Sequence, residues 1–336
     1  MVSSQGYIVL AAYSPDPTLF ARQLTSLRDQ TVTEWRCVIS VDGDPAPVVE
    51  LVQAAVGYDP RFVVIGDGTR RGFYLNFEHG LRAVPRDAAW VALCDQDDYW
   101  YPEKLERLVP LLDESPMVSG QARLVAYPSG ESLGVTDRSF HGETLTVLAN
   151  QFTGSICVFR PEILETALPF PLVPTRVATH DHWLAVVAGT YGTPRIVDEV
   201  VQDYVQHSRN VYGDPSRQGR RRIRDSVSEM LAQARRFEGS ASPAAMLRSF
   251  FLIYVGWRQV MVERLVRAGR PVPDEIALAF GARRRAGALR AVLRRAQSRG
   301  VVAPRFSLEY WLSWWAGALT AGRRRAQSLA SGSSER

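Results

Sequence analysis

Three aspartates stand within four positions of one short segment. Asp95, Asp97 and Asp98, in CDQDDYW, directly follow the apolar run 91–94. Carboxylates this close repel one another, and they stay ionised at low cost only when a cation lies among them. Oxygen ligands suit Mg²⁺ or Mn²⁺, and proteins usually hold Mg²⁺ with one or two carboxylates plus the phosphates of a bound molecule. The segment therefore predicts a divalent-metal site.

A structural interpretation of the same acids stays open. Pro102 stands near the start of PEKLERLVPLL, at a position typical of a first helical turn, so the aspartates before it could cap a helix. An EF-hand calcium loop is excluded, because its glycine and its closing glutamate are missing.

The elements that must position these acids alternate along the chain. Short apolar runs rich in β-branched residues cover 6–13, 35–41, 61–67 and 90–95. Apolar residues at helical spacing cover 17–30 and 76–84. This alternation predicts an α/β fold with a mostly parallel sheet. Such sheets bind ligands at the carboxyl ends of their strands, which is where the acids stand.

Charge divides the chain into two parts. Residues 1–216 carry 16 basic and 27 acidic side chains, a net −11, whereas residues 217–336 carry 24 basic and 8 acidic ones, a net +16. The change falls in GDPSRQGRRRIRDS, whose Gly, Pro and Ser residues are typical of a linker. We therefore predict an α/β domain over 1–215, a basic helical region over 216–330 and a disordered tail over 331–336.

Composition excludes several classes of protein. Cys37, Cys94 and Cys157 are too far apart for a zinc cluster and too few for a disulfide framework, which favours a reducing cytoplasm. The N-terminus lacks the basic segment of a signal peptide, and apolar windows such as 250–257 are too short to span a membrane. Nucleic acid is not an expected partner, because no DNA- or RNA-binding motif occurs and the acidic part would repel a polyanion.

The basic region is predicted to form four helices. They cover 222–237, 242–269, 274–300 and 307–329. One stripe of the last helix precedes three arginines, 323–325, and comprises Tyr310, Trp311, Trp314, Trp315, Ala318 and Leu319. Such a stripe suits a helix on an anionic membrane surface, but it could instead pack inside the protein. We expect a mixture, in which some helices pack while the basic surface of 217–330 contacts the membrane.

The ordered motifs resemble a known family. The segments YIVLAAYS, CVISVDGD, FVVIGDGTRRGFYLNF and LCDQDDYW are together similar to the family-two glycosyltransferases of the GT-A fold. DQDDYW resembles the extended D-x-D motif of their bacterial cell-surface branch, in which rhamnosyltransferases are frequent. The resemblance covers about residues 6–213. It implies inverting transfer of a sugar from a dTDP- or UDP-linked donor to a hydroxyl of a glycan, a lipid-linked molecule or a secondary metabolite.

The resemblance implies nucleotide-sugar contacts at six positions. Ala12 and Tyr13 would line the nucleotide, and Asp42 would contact the base, although the family's D-D-G-S turn is VDGD here. Asn76 would pack near the nucleotide. In DQDD, Asp95 would face the ribose, with Gln96 beside it.

Metal-binding roles are implied at three positions. Asp97 would hold Mg²⁺ or Mn²⁺ on the diphosphate, and Asp98 would support it from behind or share the metal. His207 lies in YVQHSRNVYG, similar to the family's Y-R-Q-H-x-x-N-V-x-G, and would reach the metal or diphosphate unless it is structural. The arginine of the family pattern is replaced by Val205, and Arg209 could supply its charge.

Two segments would serve the acceptor. FTGSICVF resembles the family's T-G element, although Gly154 could simply form a tight turn. In THDHWLAV, the family places its general base in an H-D pair, matched by His180 and Asp181, with Trp183 lining the acceptor pocket. A carboxylate in this position would take the proton of the attacking hydroxyl. The alternative is that Asp181 only caps a helix.

The sequence thus predicts a metal-dependent glycosyltransferase in the cytoplasm or at the inner face of the cytoplasmic membrane. A nucleotidyltransferase is an alternative enzyme, but AAYSPDPT is not the basic Gly-rich loop that it would need. A membrane-associated scaffold with a transferase-like domain is the non-catalytic alternative. The sugar, the acceptor and the oligomeric state do not follow from the sequence.

Overall fold

The computed structural model describes residues 5–207 and 223–319. Within them the chain forms two compact units and passes between the units several times. The first unit comprises Met1–Phe140, Gln151–Leu168 and Tyr191–Gly213, and the second comprises His141–Asn150, Pro169–Thr190 and Asp214–Arg336. The predicted boundary near residue 215 and the predicted tail lie outside the described residues.

The first unit is built on a nine-stranded sheet. In chain order the strands are β1 (Gly6–Ala12), β2 (Trp35–Val41), β3 (Phe62–Ile65), β4 (Val91–Asp95), β5 (Tyr99–Trp100), β6 (Met117–Ala126), β7 (Ser132–Val135), β8 (Cys157–Phe159) and β9 (Arg195–Gln206). They lie in the order β3-β2-β1-β4-β8-β6-β9-β5, with β7 paired to β6. The four predicted strands are therefore present as β1 to β4.

The described residues also form thirteen α-helices. They are α1 (Pro17–Arg28), α2 (Ala46–Val56), α3 (Phe73–Arg82), α4 (Lys104–Leu108), α5 (Glu143–Leu148), α6 (Ile163–Ala167), α7 (His180–Ala188), α8 (Ile223–Glu238), α9 (Pro243–Phe251), α10 (Trp257–Arg267), α11 (Asp274–Phe280), α12 (Ala286–Ser298) and α13 (Pro304–Leu319). A π-helical turn, Leu252–Gly256, joins α9 to α10.

Strand direction changes across the sheet. The pairs β1/β2, β1/β4 and β2/β3 are parallel, as predicted, and so is β6/β9. The pairs β4/β8, β6/β8, β6/β7 and β5/β9 are antiparallel. The α/β class is confirmed, with parallel pairs throughout β1–β4 and at β6/β9. The strands β6 and β7 are joined by a short turn without a crossover helix, so this pair is antiparallel.

Local sequence explains how the first helix begins. Asp16 accepts hydrogen bonds from the N–H groups of Thr18 and Leu19 at 3.0 and 3.2 Å, and Pro17 occupies the first helical position. Phe20 and Leu24 then bury one face of α1 in the core beneath β1. The helix therefore fixes the chain direction just after the carboxyl end of β1.

The turn after β4 crosses the sheet. Asp95 ends β4 in the middle of the strand order, and Tyr99 begins β5, which pairs with β9 at its far end. Residues 96–98 therefore bring the carboxyl end of β4 to the carboxyl end of β9, the strand that His207 follows. This connection assembles the candidate site.

The second unit consists of α5, α7 and α8–α13. Ser242 caps α9, as predicted, by accepting a hydrogen bond from the Ala245 N–H at 3.3 Å. The predicted single helix over 274–300 is wrong, because the chain leaves the helix at Gly281 and restarts at Ala286. A Cβ at Gly281 would lie 2.5 Å from the Ala277 carbonyl oxygen, so only glycine fits this exit without a shift.

The aromatic stripe of α13 divides between interior and surface. Tyr310 and Trp314 are buried, and Trp314 donates from Nε1 to the Ala279 carbonyl at 2.8 Å. Trp315 is 56% exposed. Among the described residues, no helix has the length and apolar character needed to cross a bilayer. The arginines 323–325 lie outside the described part of the chain.

Candidate functional site

The ends of β1 and β4 are joined through Gln96. Its Oε1 accepts a hydrogen bond from the Tyr13 N–H at 2.7 Å, and its Nε2 donates to the Tyr13 carbonyl at 3.2 Å. Ser14, the next residue, has a φ of 38°, a left-handed conformation that non-glycine residues rarely adopt. Strain of this kind persists where neighbouring contacts hold it, often at functional sites. The turn after Ala12 is thus held against DQDD.

Asp42 organises the loop before α3. It is 4% exposed, and its carboxylate accepts hydrogen bonds from the N–H groups of Arg71 and Gly72, the latter at 3.1 Å to each oxygen. Arg70 lies over the Tyr13 ring with its guanidinium carbon 4.0 Å from the centroid, and its Nε is 3.7 Å from Asp42 Oδ2. Asp42 therefore fixes a loop that places an arginine beside Tyr13.

Asn76 is buried rather than presented to a ligand. Its Nδ2 donates to the Ser40 carbonyl at 2.8 Å and to the Ala12 carbonyl at 3.4 Å, and its Oδ1 accepts from the Ser40 hydroxyl at 2.8 Å. The same hydroxyl lies 2.9 Å from Nδ1 of His79, whose pKa is lowered by burial and then by the charge of Arg71. This group ties α3 to the ends of β1 and β2.

Asp97 and His207 meet at the strand ends. Oδ2 of Asp97 lies 2.9 Å from Nε2 of His207, and both side chains keep some exposure, 20% and 13% respectively. The two residues are far apart in sequence, and the pairing of β5 with β9 brings them together. The pair therefore lies partly exposed where residues 95–98, the acidic turn, meet the end of β9.

Asp98 points the other way, into the protein. It is 1% exposed, and it accepts hydrogen bonds from Gln202 Nε2 at 2.9 Å and from the Val205 N–H at 3.0 Å. Burial first, then the charges of Asp97 and Asp95, raise the pKa of Asp98. Asp98 therefore anchors the acidic turn to β9.

A buried cation lies behind Asp98. Lys104 is fully buried, and its Nζ donates to the Ser155 carbonyl and to Gln202 Oε1, both at 2.6 Å. Nζ also lies 3.4 Å from the centroid of the Trp100 ring. Burial lowers the pKa of Lys104 to about 7, against the opposing effects of Cys94 and then Asp98. We call Lys104, Ser155, Gln202 and Asp98 the buried polar network.

The acidic turn fits a divalent cation with two protein ligands. Asp97 and His207 offer an oxygen and a nitrogen 2.9 Å apart, whereas the two oxygens of Asp98 already accept hydrogen bonds. Across residues 5–207 and 223–319, no cluster of three or more His, Cys, Asp or Glu side chains suitable for a metal is present. The Asp97 carboxylate is of the kind that suits Mg²⁺ or Mn²⁺, which complete their coordination with phosphate and water.

Gly154 begins a short 3-10 turn, Gly154–Ile156, and is itself buried. The next residue, Ser155, is also buried and belongs to the buried polar network. The predicted T-G element thus adjoins the support of the acidic turn.

The other three predicted residues lie in the second unit, on the first turn of α7. Asp181 is partly exposed, and its Oδ1 accepts from the His182 N–H at 2.7 Å, a contact also compatible with the capping interpretation. His180 is 8% exposed and Trp183 is fully buried. His182 contacts the Thr146 carbonyl at 2.7 Å and accepts from Trp257 Nε1 at 3.1 Å, and burial lowers its pKa to about 4.

Several residues of the site were not predicted from the sequence. Several of these residues make contacts with segments distant in sequence, and they comprise Arg70 in a loop, Lys104 at the start of α4, Ser155 in a 3-10 turn and Gln202 in β9. One signal was available: Lys104 is the only lysine among 40 basic side chains, a few residues after DQDD.

A known sequence family matches part of the chain. The sequence model of the glycosyl transferase family 2 matches residues 7–161, a range that runs from β1 through the acidic turn to β8. The match covers the strand-end motifs and confirms the resemblance to this family. The mixed α/β architecture of the first unit, followed in sequence by the helices α8–α13, agrees with the GT-A fold that the resemblance implies.

Two sequences from rhizobial bacteria are similar over part of the chain. The Succinoglycan biosynthesis protein ExoW of Rhizobium meliloti is 32% identical over 104 residues, which cover 29% of this chain and 31% of that protein. The Uncharacterized protein y4gI of Sinorhizobium fredii is 27% identical over 110 residues, which cover 32% of this chain and 12% of that protein. The matches span less than a third of either relative.

Two solved structures are distant likenesses of this chain. TarS residues 1–349 of S. aureus, in complex with UDP-GlcNAc, has 13% identity and a TM-score of 0.49 over 96% of this chain and 92% of that chain. The mannosyltransferase PcManGT from Pyrobaculum calidifontis, in complex with GDP-Man and Mn²⁺, has 17% identity and a TM-score of 0.46 over 93% and 85%.

Proposed function

We propose that this protein is an inverting glycosyltransferase that moves a sugar from a nucleotide-sugar donor to an acceptor hydroxyl. The pairing of Asp97 with His207 at the strand ends of a family-two domain carries the proposal. A nucleoside diphosphate gains negative charge as its bond to the sugar breaks, and a site that stabilises this charge accelerates the transfer. The paired side chains stand where the carboxyl ends of β4 and β9 meet.

The nucleotide would lie against the turn after β1. Tyr13 is 46% exposed and Arg70 has a side chain that is 63% exposed, so the stacked pair offers a flat aromatic surface and a positive charge. Both features suit a nucleobase and a diphosphate. We assign Asp42 and Asn76 to holding this surface, because both are buried and hydrogen-bonded to backbone groups. Asp95 and Gln96 would then border the ribose.

Asp97 and His207 are the residues that would hold Mg²⁺ or Mn²⁺. When bound, the cation would stabilise the negative charge on the leaving diphosphate. Asp98 supports the turn from its buried side, since the Gln202 and Val205 N–H groups use its oxygens. Of the two roles open to Asp98, support of Asp97 is the one that these contacts favour.

Asp181 would act as the general base. Its carboxylate would take the proton of the acceptor hydroxyl as the oxygen attacks C1, so the nucleoside diphosphate leaves in one step and the anomeric configuration inverts. His180 and Trp183 flank it on α7, and we assign the buried Trp183 to packing beneath the base. Gly154 would lie under the acceptor.

The acceptor side of the proposal includes a membrane contact. On α13, Leu308, Leu312 and Trp315 are 61%, 55% and 56% exposed and recur at helical spacing, so they share one face. The surrounding region, 217–336, carries a net charge of +16. Apolar side chains with excess arginine favour peripheral binding to an anionic surface, and a lipid-linked or cell-surface glycan acceptor would be found there. We place the enzyme at the inner face of the cytoplasmic membrane.

A donor screen tests the function. Purified protein with Mg²⁺ or Mn²⁺ is incubated with dTDP- and UDP-sugars, including dTDP-rhamnose, and release of nucleoside diphosphate is followed with and without candidate acceptors. We expect one donor to release nucleoside diphosphate and Asp97→Asn to abolish the release. Release of pyrophosphate from a nucleoside triphosphate would instead indicate a nucleotidyltransferase, and no release from any donor would favour a non-catalytic scaffold.

A further inference from the structure

The buried polar network joins a cation to a carboxylate through one amide. Gln202 is fully buried, and its Oε1 accepts from Lys104 Nζ at 2.6 Å while its Nε2 donates to Asp98 Oδ2 at 2.9 Å. Nε2 also lies 3.3 Å from the Ser155 hydroxyl oxygen. An ammonium has only donors, so Lys104 requires the oxygen of the Gln202 amide, and the amide nitrogen then faces Asp98.

The surroundings of Nζ are suited to an ammonium. Two oxygens at 2.6 Å and the face of the Trp100 ring surround it, and each favours a positive charge. A buried cation is costly without such partners, and an apolar side chain of similar length would fill the space more cheaply. Packing alone therefore does not explain why the only lysine of the chain lies here.

One end of the network, Asp98, adjoins both candidate metal ligands. Asp98 directly follows Asp97, and its Oδ1 accepts from the Val205 N–H at 3.0 Å, two residues before His207. Loosening Asp98 would therefore alter the separation of Asp97 from His207. The Ser155 carbonyl accepts a hydrogen bond from the same ammonium, so the segment that contains Gly154 is held to the network as well.

We propose that Lys104 is a positioning residue for Asp97 and His207: through the amide of Gln202 it holds Asp98, which fixes the two backbone segments that carry the pair. The proposal rests on the proposed function for the meaning of that pair. The inference adds to the proposed function the buried residues that determine how firmly Asp97 and His207 hold a divalent cation. Partners that orient metal ligands commonly change metal affinity by about 10- to 100-fold when removed.

The single lysine allows a test that does not depend on activity. Protein labelled with ¹³C at lysine Cε gives one side-chain signal, and its chemical shift as a function of pH reports the Lys104 charge. Other titratable groups near Nζ are Cys94, Cys157 and Asp95. We expect Asp98→Asn to lower the titration midpoint by about one pH unit, because it removes an opposing charge. An unchanged midpoint would show that Lys104 and Asp98 are not coupled and would overturn the proposal.

The second measurement is the affinity of the protein for Mn²⁺ in the presence of UDP or dTDP. Electron paramagnetic resonance reports the concentration of free Mn²⁺. We expect Lys104→Met to weaken Mn²⁺ binding at least about tenfold. In turnover, the Mn²⁺ concentration for half-maximal rate should rise more than kcat falls. Tyr101→Phe is the matched control: it removes one hydrogen bond to β9, from Tyr101 Oη to Asp203 at 2.8 Å, and should leave Mn²⁺ affinity unchanged.

A double variant keeps the proposal testable if Lys104→Met folds poorly. Lys104→Met with Asp98→Asn removes both charges and frees the Gln202 amide to turn, so it should melt at a higher temperature than Lys104→Met alone. Additive losses in the double variant, or equal Mn²⁺ affinity in Lys104→Met and wild type, would overturn the positioning role. If the wild-type protein binds no Mn²⁺–nucleotide, the proposed function fails, while the labelling result still decides the coupling.

Discussion

Among the described residues, each unit buries one long cationic side chain, and the two differ in what their partners do. Lys104 of the first unit reaches Asp98 through Gln202, next to the solvent-facing pair of Asp97 and His207. Arg258 of the second unit, 8% exposed, donates from Nε and Nη2 to the Leu148 carbonyl at 3.0 and 2.7 Å, and from Nη1 to the Ile253 carbonyl at 2.5 Å. Tyr310 donates to the same Leu148 carbonyl at 2.8 Å.

The two buried cations have different roles: one stabilises a helix end and the other acts on a carboxylate next to the candidate site. Leu148 ends α5, and a helix end leaves carbonyl groups without partners and carries partial negative charge, so Arg258 stabilises the helix end itself. Lys104 acts on a carboxylate beside residues that face solvent. Substitution should therefore change stability in the second unit and ligand binding in the first. Four experiments, ordered by expected effect, test this division.

The largest effect is expected from Asp97→Asn. The variant removes one charge from a partly exposed side chain, so the fold should persist while turnover falls by at least about 10³-fold, since stabilisation of the leaving group is lost. Initial rates with the selected donor and a thermal melt check both parts. Turnover close to wild type in the presence of a chelator would remove Asp97 and His207 from the proposed mechanism.

Asp181→Asn tests whether the second unit contributes chemistry as well as stability. We expect kcat to fall by at least about 10²-fold with donor affinity little changed, the usual scale for a positioned general base. Asparagine still accepts the His182 N–H hydrogen bond, so the start of α7 is retained. An equal loss of donor affinity would place Asp181 in nucleotide binding, and normal kcat would leave it as a capping residue.

Arg258→Met should lower stability without changing the chemistry. Loss of the guanidinium leaves the Leu148 and Ile253 carbonyls with fewer donors, which we expect to cost about 2 kcal/mol in the free energy of unfolding. Denaturant unfolding measures this, and kcat/KM at a temperature below the transition should stay within about twofold of wild type. A large loss of Mn²⁺ affinity in this variant would contradict the contrast with Lys104.

The smallest effect is expected at the surface of α13. Wild-type protein should sediment with vesicles containing anionic lipid and be released by salt, because exposed arginines each contribute about 1 kcal/mol near such a surface. Replacing Leu308, Leu312 and Trp315 with Ser should reduce binding several-fold while the melting temperature stays near that of wild type. Leu247→Ser, on α9, removes one similarly exposed side chain and serves as the control. Equal sedimentation of both variants would exclude this face as the contact.

Local patterns predicted much of the first unit. The runs at 35–41 and 90–95 became β2 and β4 within a residue, and the helical spacing at 17–30 became α1, because burial on one or two faces is visible as periodicity. The later strands β6 and β7 were not predicted, and 274–300 was predicted as one helix although Gly281 breaks it. A helix end of this kind depends on a single glycine, and the strong helical pattern of the residues around it hides the break.

The sequence by itself determined the family, the order of the strand-end motifs and the acidic turn, since each lies in a continuous segment. It could not determine which aspartate of DQDD faces solvent, because adjacent residues can point in opposite directions. The pairing of β5 with β9 places Asp97 beside His207 and Asp98 beside Gln202. The tertiary structure also decided that the single lysine is buried behind that turn and that Trp314, unlike Trp315, is buried. These outcomes depend on contacts between distant segments, and local periodicity carries no information about them.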